Sequence, residues 1–171
     1  MSKKADYSAE EWQAIAGAPV AAGLLITLSD VSGPAGIARE ALAVGKAIAH
    51  LASGAAPEIV KALAENVASS GGRPVLPKVP TGDRKKTTKA LIEVIKTAVR
   101  AVEKKSAAEV EGYKALLASV AAHAAQASKE GGFFGLGGTL VSADEEDALQ
   151  QLTEVLGVGA SHSTVHSRLP T

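Results

Sequence analysis

The sequence predicts an all-α protein, a bundle of five to six helices with a proline-rich crossover linker between two helical halves. Three observations support this class. Apolar residues recur three and four positions apart, alanine is the commonest residue and the strongest helix former, and no segment combines strand alternation with hairpin-turn residues. We expect one helical domain over 1–157, with N-terminal helices in 8–70, a linker at 71–82, C-terminal helices in 83–157 and a disordered tail at 158–171.

The first helix has a clear predicted start at Ser8. Ser8 and Glu11 have the spacing of a capping box, in which each side chain bonds the backbone amide of the other residue. Tyr7 and Trp12 lie on either side of this cap, where a hydrophobic staple is expected. Three agreeing signals therefore fix this boundary.

No charged residue occurs between Trp12 and Ser29. The run is shorter than the roughly 20 apolar residues of a membrane span and includes several small or polar residues, so it favours a buried central helix. Membrane insertion or surface association is the alternative. Pro19 lacks an amide donor and is expected to kink or split the helix, which should end near Asp30–Gly33.

Two further helices are predicted before the linker. Pro34 suits a first helical position and begins a helix that extends to about Ala52. Pro57 similarly begins a helix that extends to about Ser69, and the short turn between the two predicts packed neighbours. Prolines spaced three apart in 71–82 then favour an extended crossover.

The longest helical pattern covers 83–129. Its apolar rhythm is interrupted by polar residues near Ser106, where we favour a break between two helices over one continuous helix. Ser106 and Glu109 have the spacing of a second capping box. A last helix is expected over Ala143–Leu156, capped by Ser142.

A glycine-rich loop between the last two helices carries Phe133, Phe134 and Leu136, including both phenylalanines of the chain. No Lys-Ser or Lys-Thr pair follows the glycines, and a helix rather than a strand precedes them, so the pattern does not predict a nucleotide site. Large apolar side chains on a loop are costly to expose to water. They are expected to close the end of the bundle or to contact a partner or membrane.

Charge is unevenly distributed, although the formal net charge is zero. Arg84, Lys85, Lys86 and Lys89 crowd one helix start, whereas the last helix is acidic. The two surfaces are expected to lie near each other or to solvate the fold, and the basic cluster could instead bind an anionic membrane surface. No aromatic residue accompanies it, so nucleic acid is not an expected partner.

Reaction chemistry is not apparent in the sequence. The chain has no cysteine, which fits a reducing cytoplasm and excludes thiolate ligands. His162 and His166 lie in the predicted tail without a neighbouring carboxylate, and His123 is expected to be a half-buried residue with a hydrogen-bond partner. We therefore predict no metal, no cofactor and no enzyme activity, and we expect no cleavable signal peptide.

A resemblance extends over most of the chain. The segments Glu10-Glu11-Trp12, Ala18-Pro19, Asp30-Val31-Ser32-Gly33-Pro34 and Gly135-Leu136-Gly137-Gly138 with Val141-Ser142 resemble those of a group of small, all-helical bacterial proteins of unknown function. The resemblance implies a bacterial origin and a helical fold. It supplies no catalytic residues.

We therefore expect a non-enzymatic cytoplasmic protein that associates with itself or with another protein. Its expected contact surfaces are the Phe133–Phe134 loop with Leu136 and the first helix with Trp12. The alternative is a peripheral membrane protein that uses the apolar helix or the Phe loop together with the basic cluster, because one such signal alone binds only marginally.

Overall fold

The structure, a computed structural model, contains six α-helices and describes residues 3–27, 33–80, 82–131 and 143–157. No strand occurs in these ranges, so the predicted all-α class is confirmed. The helices are α1 (Ala9–Thr27), α2 (Gly33–Ala52), α3 (Glu58–Ser69), α4 (Arg84–Lys105), α5 (Val110–Gly131) and α6 (Ala143–Leu156).

Helix α1 is the centre of the bundle. It packs against α2, α4, α5 and α6, and nearly every residue from Trp12 to Thr27 is buried. A helix buried on all sides has no polar face, which explains its uncharged sequence. The predicted buried central helix is therefore confirmed, and alanine and glycine on α1 let its neighbours approach closely.

The predicted start of α1 is also confirmed. The Ser8 amide donates to Glu11 Oε2 at 2.8 Å, and the Glu11 amide donates to Ser8 Oγ at 3.1 Å. The rings of Tyr7 and Trp12 pack with their centroids 6.1 Å apart. The chain therefore enters α1 at a fixed angle, as a hydrophobic staple requires.

Pro19 does not split α1, which is continuous from Ala9 to Thr27, so of the two expected outcomes, a kink or a split, the split was wrong. A proline at position 19 leaves the carbonyl of Ile15 without its helical donor. The Tyr113 hydroxyl of α5 donates to this carbonyl at 2.8 Å, and Tyr113 is completely buried. A side chain almost a hundred residues away therefore replaces the amide that proline lacks.

Helices α2 and α3 pack together across a short turn, and the linker then follows the bundle surface. Pro74 is buried, and Val75 and Val79 pack against the core. Gly45 of α2 permits this close approach, because an added Cβ would lie 3.1 Å from the Gly72 carbonyl oxygen. The predicted crossover is therefore tightly packed on the helices.

The predicted break near Ser106 is confirmed, since α4 ends at Lys105 and a 3-10 turn, Ala107–Glu109, precedes α5. The capping box predicted there was wrong. The Ser106 side chain makes no cap hydrogen bond to the turn and instead accepts from the Tyr7 hydroxyl at 3.2 Å. Glu109 accepts from the Ile59 amide at 2.8 Å. Its carboxylate therefore gives a hydrogen-bond partner to a backbone amide in the first turn of α3, where negative charge is favourable.

Helix α6 has the predicted bounds and packs against α4 and α5. Leu152 and Leu156 are buried, as expected for its inner side. The Lys96 ammonium of α4 donates to Gln151 Oε1 at 3.2 Å. Helix α6 therefore packs against α4, whereas the side chains of its acidic first turn and the Ser142 cap lie outside the described residues.

Candidate functional site

Trp12 lies in the core, with only 5% of its surface exposed. Its indole Nε1 donates to Asn66 Oδ1 on α3 at 3.3 Å. The side chain therefore stabilises the junction of α1 and α3, and only a small part of it lines a shallow surface pocket beside Tyr7 and Val75.

The four basic residues Arg84, Lys85, Lys86 and Lys89 are all exposed in the first turns of α4. Asp83 caps this helix by accepting from the Lys86 amide at 3.0 Å, and its carboxylate lies 3.5 Å from the Lys86 ammonium. The structure therefore brings the predicted cations together on one surface. Phe133, Phe134 and Leu136 lie outside the described residues.

The side chains at the start of α1 form a cluster, hereafter the N-terminal clasp. Its members are Asp6, Tyr7, Glu11, Trp12, Asn66, Lys105 and Ser106. The Lys105 ammonium donates to Glu11 Oε2 at 2.7 Å and to the Asp6 carbonyl at 2.8 Å, and lies 5.4 Å from the centre of the Tyr7 ring. One cation therefore joins the end of α4 to the start of α1.

The electrostatics of the bundle keep Glu11 ionised beside Lys105 and Tyr113 protonated beside Ile15. The Lys105 hydrogen bond and then the Ser8 amide lower the pKa of Glu11 below its ordinary value. Burial, with a smaller effect of Tyr7, raises the pKa of Tyr113 well above its ordinary value, so the hydroxyl that supports Ile15 stays protonated. Both groups thus remain in the protonation state that their hydrogen bonds require.

A cavity of about 690 Å³ lies between the N-terminal segment and α3. Lysines and glutamates both line it, and the Lys61 ammonium lies 3.0 Å from Glu58 Oε1. The Lys4 ammonium is within 3.5 Å of Asn66 Oδ1. The lining thus carries charges of both signs, and no single ligand class is selected.

A second kind of surface lies between α2 and α5. Its deeper part is a groove of about 420 Å³ with a floor of buried Val44, Val120 and Ala124. Ala47 and Leu51 are half-buried and form the α2 wall. The remaining lining residues, all exposed, are Ala43, Lys46, His50 and His123.

A neighbouring groove of about 280 Å³ also has Leu51 in its lining, and the two grooves together are hereafter the α2–α5 trough. The other residues of this second part are Ala55, Ala56, Pro57, Val60, Gly112, Ala115 and Leu116. Gly112 is required for the close approach of the two walls, since a Cβ on it would overlap the Pro57 ring.

The charges at the trough are arranged unequally along its length. Among the described residues that line it, the groups able to carry charge are Lys46, His50 and His123, and none is a carboxylate. All three line the larger groove, hereafter the α2-facing half of the trough. The His123 Nδ1 lies 2.8 Å from the Ser119 carbonyl, to which it donates. His123 therefore has a hydrogen-bond partner, as expected, but it is exposed, so the expectation of half-burial was wrong.

Two further properties of the described residues bear on chemistry. They contain no group of three histidine, aspartate or glutamate side chains placed to hold a metal ion. None of the described helices combines the length and apolar content that a membrane crossing requires.

The trough was not predicted from the sequence because its walls come from segments that are far apart along the chain and contain more alanine than any other residue. Alanine carries no chemical signal, and its frequency was interpreted as helix propensity. A sequence signal did exist in the two histidines, which border apolar positions on separate helices. The sequence matches no protein family model, and no curated protein or solved structure is significantly similar to the chain.

Proposed function

We propose that this protein is a non-enzymatic helical bundle that acts by associating with another protein or with a second copy of itself, and that the α2–α5 trough is its contact surface. The supporting observation is a pair of neighbouring, mainly apolar grooves that share Leu51, the larger of which has a buried floor. Covering such a surface is favourable by about 25 cal/mol for each Å² of apolar area removed from water.

The composition of the trough supports a protein partner over a small molecule. Alanine and glycine in its walls leave backbone close to the surface, which suits a second helix at short distance. The trough offers few hydrogen-bonding groups to orient a small ligand, whereas pockets for such ligands usually contain several convergent polar groups.

The sequence adds a second apolar contact to this proposal. Phe133 and Phe134, with Leu136, are the second contact of this proposal, because large aromatic side chains dominate the energetics of most interfaces. The core position of Trp12 limits that residue to supporting the packing of α1.

Sedimentation velocity over a range of concentrations tests the proposal for self-association. Ala47→Glu places a carboxylate in the trough, and Ala49→Glu is the matched control because Ala49 is exposed on the same helix and does not line the trough. Association that weakens only in the first variant supports the proposal. Ala43→Glu, at an already exposed position of the trough, provides a second variant if Ala47→Glu loses helicity.

The same variants test association with another protein. Partners retained by the wild-type chain and by Ala49→Glu should be absent with Ala47→Glu and reduced with Phe133→Ser/Phe134→Ser. Equal recovery with all four chains would contradict the proposed contact surface.

A second candidate is attachment to an anionic membrane surface, which is supported by the exposed cations of α4. Besides the first-turn cluster, Arg100 and Lys104 are exposed farther along this helix. Basic residues near a membrane each contribute about 1 kcal/mol, and salt screens this attraction. Flotation with anionic but not neutral liposomes, reversed by salt and lost in Lys86→Glu/Lys89→Glu, would support this function.

A further inference from the structure

We infer that the occupant of the α2–α5 trough is a single amphipathic helix with acidic residues at one end, an inference that rests on the proposed function. The trough follows α5 from Gly112 to Ala124. At 1.5 Å for each residue this distance is about 18 Å, which accommodates about three turns of helix.

The shape of the trough selects a helix over an extended peptide. An added β-strand requires a sheet edge with unpaired amides, whereas the walls of the trough are helices and the turn between α2 and α3, and none of them is a strand. A helix instead presents a ridge of side chains, and a groove lined by Ala43, Ala47 and Ala115 can receive it at close range.

The charge of the occupant follows from the α2-facing half of the trough. Lys46 carries a positive charge there, beside the exposed imidazoles of His50 and His123. No carboxylate is among the described residues that line this half, so the lysine charge is not balanced within the lining. An acidic partner is therefore favoured over a basic one.

The other half of the trough selects a neutral apolar end. Its described lining residues carry no charge. The nearest acidic residue on α5, Glu111, lies 3.2 Å from the Lys114 ammonium and is therefore paired. The two ends of the trough thus differ in charge, and this difference should fix the direction in which the partner helix binds.

Panning a displayed peptide library against the immobilised full chain tests the inference. The library consists of 18-residue helices with a fixed stripe of alanine and leucine, and its flanking positions are randomised among glutamate, glutamine and lysine. We expect selected peptides to carry glutamate in one terminal third and to lose binding to Ala47→Glu but not to Ala49→Glu.

Charge reversal sharpens this test. In Lys46→Glu we expect each glutamate-bearing peptide to bind about two- to fivefold more weakly, as for a rim ion pair, and lysine-bearing versions to bind more tightly than before. Selected peptides that bind at the trough without preference for glutamate would overturn the inference and leave the proposed function intact.

Other results would also be decisive. Recovery of no binders, or a chain that dimerises through the trough with no competition from acidic peptides, would overturn the acidic helix as occupant. Binding of every peptide equally well to wild type and to Ala47→Glu would contradict the proposed function as well, because no association would then depend on the trough.

Discussion

The N-terminal clasp and the α2–α5 trough are two surface regions that differ in how their side chains are packed and paired. In the clasp, side chains from α1, α3 and α4 meet, and the polar groups of Trp12, Glu11 and Lys105 have partners within the chain. In the trough, two helices approach through alanine and glycine and leave an apolar depression with a buried floor.

The difference indicates which surface contributes to stability and which is available to a partner. A cluster of aromatic rings and paired polar groups contributes mainly to stability, because few of its hydrogen-bonding groups are left for a partner. An apolar depression contributes less to stability and gains when it is covered. Substitutions in the clasp should therefore reduce stability, whereas substitutions in the trough should reduce association and leave the fold intact.

The largest expected effect is that of Trp12→Ala in the clasp. Loss of a buried indole and its contacts with Tyr7 and Asn66 should lower the free energy of unfolding by about 3–5 kcal/mol, as measured by urea denaturation. Trp12→Phe is the matched control and should cost less, because it keeps an apolar ring. Similar losses for Ala47→Glu would abolish the distinction between the two surfaces.

Tyr113→Phe should have the next largest effect, since it leaves the Ile15 carbonyl buried without a donor. We expect a loss of about 1–3 kcal/mol in the free energy of unfolding. Pro19→Ala restores an amide that can donate to that carbonyl, so the double variant should lose less than the sum of the two single effects. Additive losses in this double-mutant cycle would show that Tyr113 does not compensate for Pro19.

Gly112→Ala tests the packing at one end of the trough. The new methyl group would overlap the Pro57 ring, and such overpacking typically costs about 1–3 kcal/mol, partly offset by about 1 kcal/mol of improved helix propensity. Gly54→Ala is the control, because open space surrounds Gly54. A thermal-melting measurement in which Gly112→Ala is more stable than wild type, as helix propensity alone would make it, would exclude the close approach of α5 and Pro57.

The smallest effect is expected for the acid dependence of the clasp. Since the pKa of Glu11 is lowered in the folded chain, its contribution is present above its ordinary value of 4.5 and is lost as the pH falls through the lowered value. Unfolding curves of wild type and Glu11→Gln should therefore differ at neutral pH and converge in acid. A difference that persists unchanged at low pH would contradict this assignment.

Local signals predicted the fold well. Ser8 with Glu11, and the prolines at positions 34 and 57, indicate helix starts to within about a residue, because caps depend on neighbours in sequence. Long-range partners caused the errors. Nothing near Pro19 indicates that Tyr113 will satisfy the Ile15 carbonyl, and nothing near Ser106 indicates that Glu109 will cap α3.

The candidate site was harder to predict than the fold, because more of its residues are far apart in the sequence. The basic residues of α4 were identified because they are consecutive or nearly so. The trough combines small side chains of α2 with others of α5, and neither helix alone has an unusual apolar face. These alanines form a groove only because the two helices pack together, and a local sequence pattern does not specify that packing.

Site-specific photocrosslinking in cells that produce the protein tests the central claim most directly. A benzoylphenylalanine placed at Ala43, on the trough, is compared with one at Ala49, on the same helix outside it. If the trough is the contact surface, ultraviolet light yields a discrete protein adduct from position 43 and none from position 49. Adducts of equal yield from both positions, or no adduct from position 43, would contradict the claim.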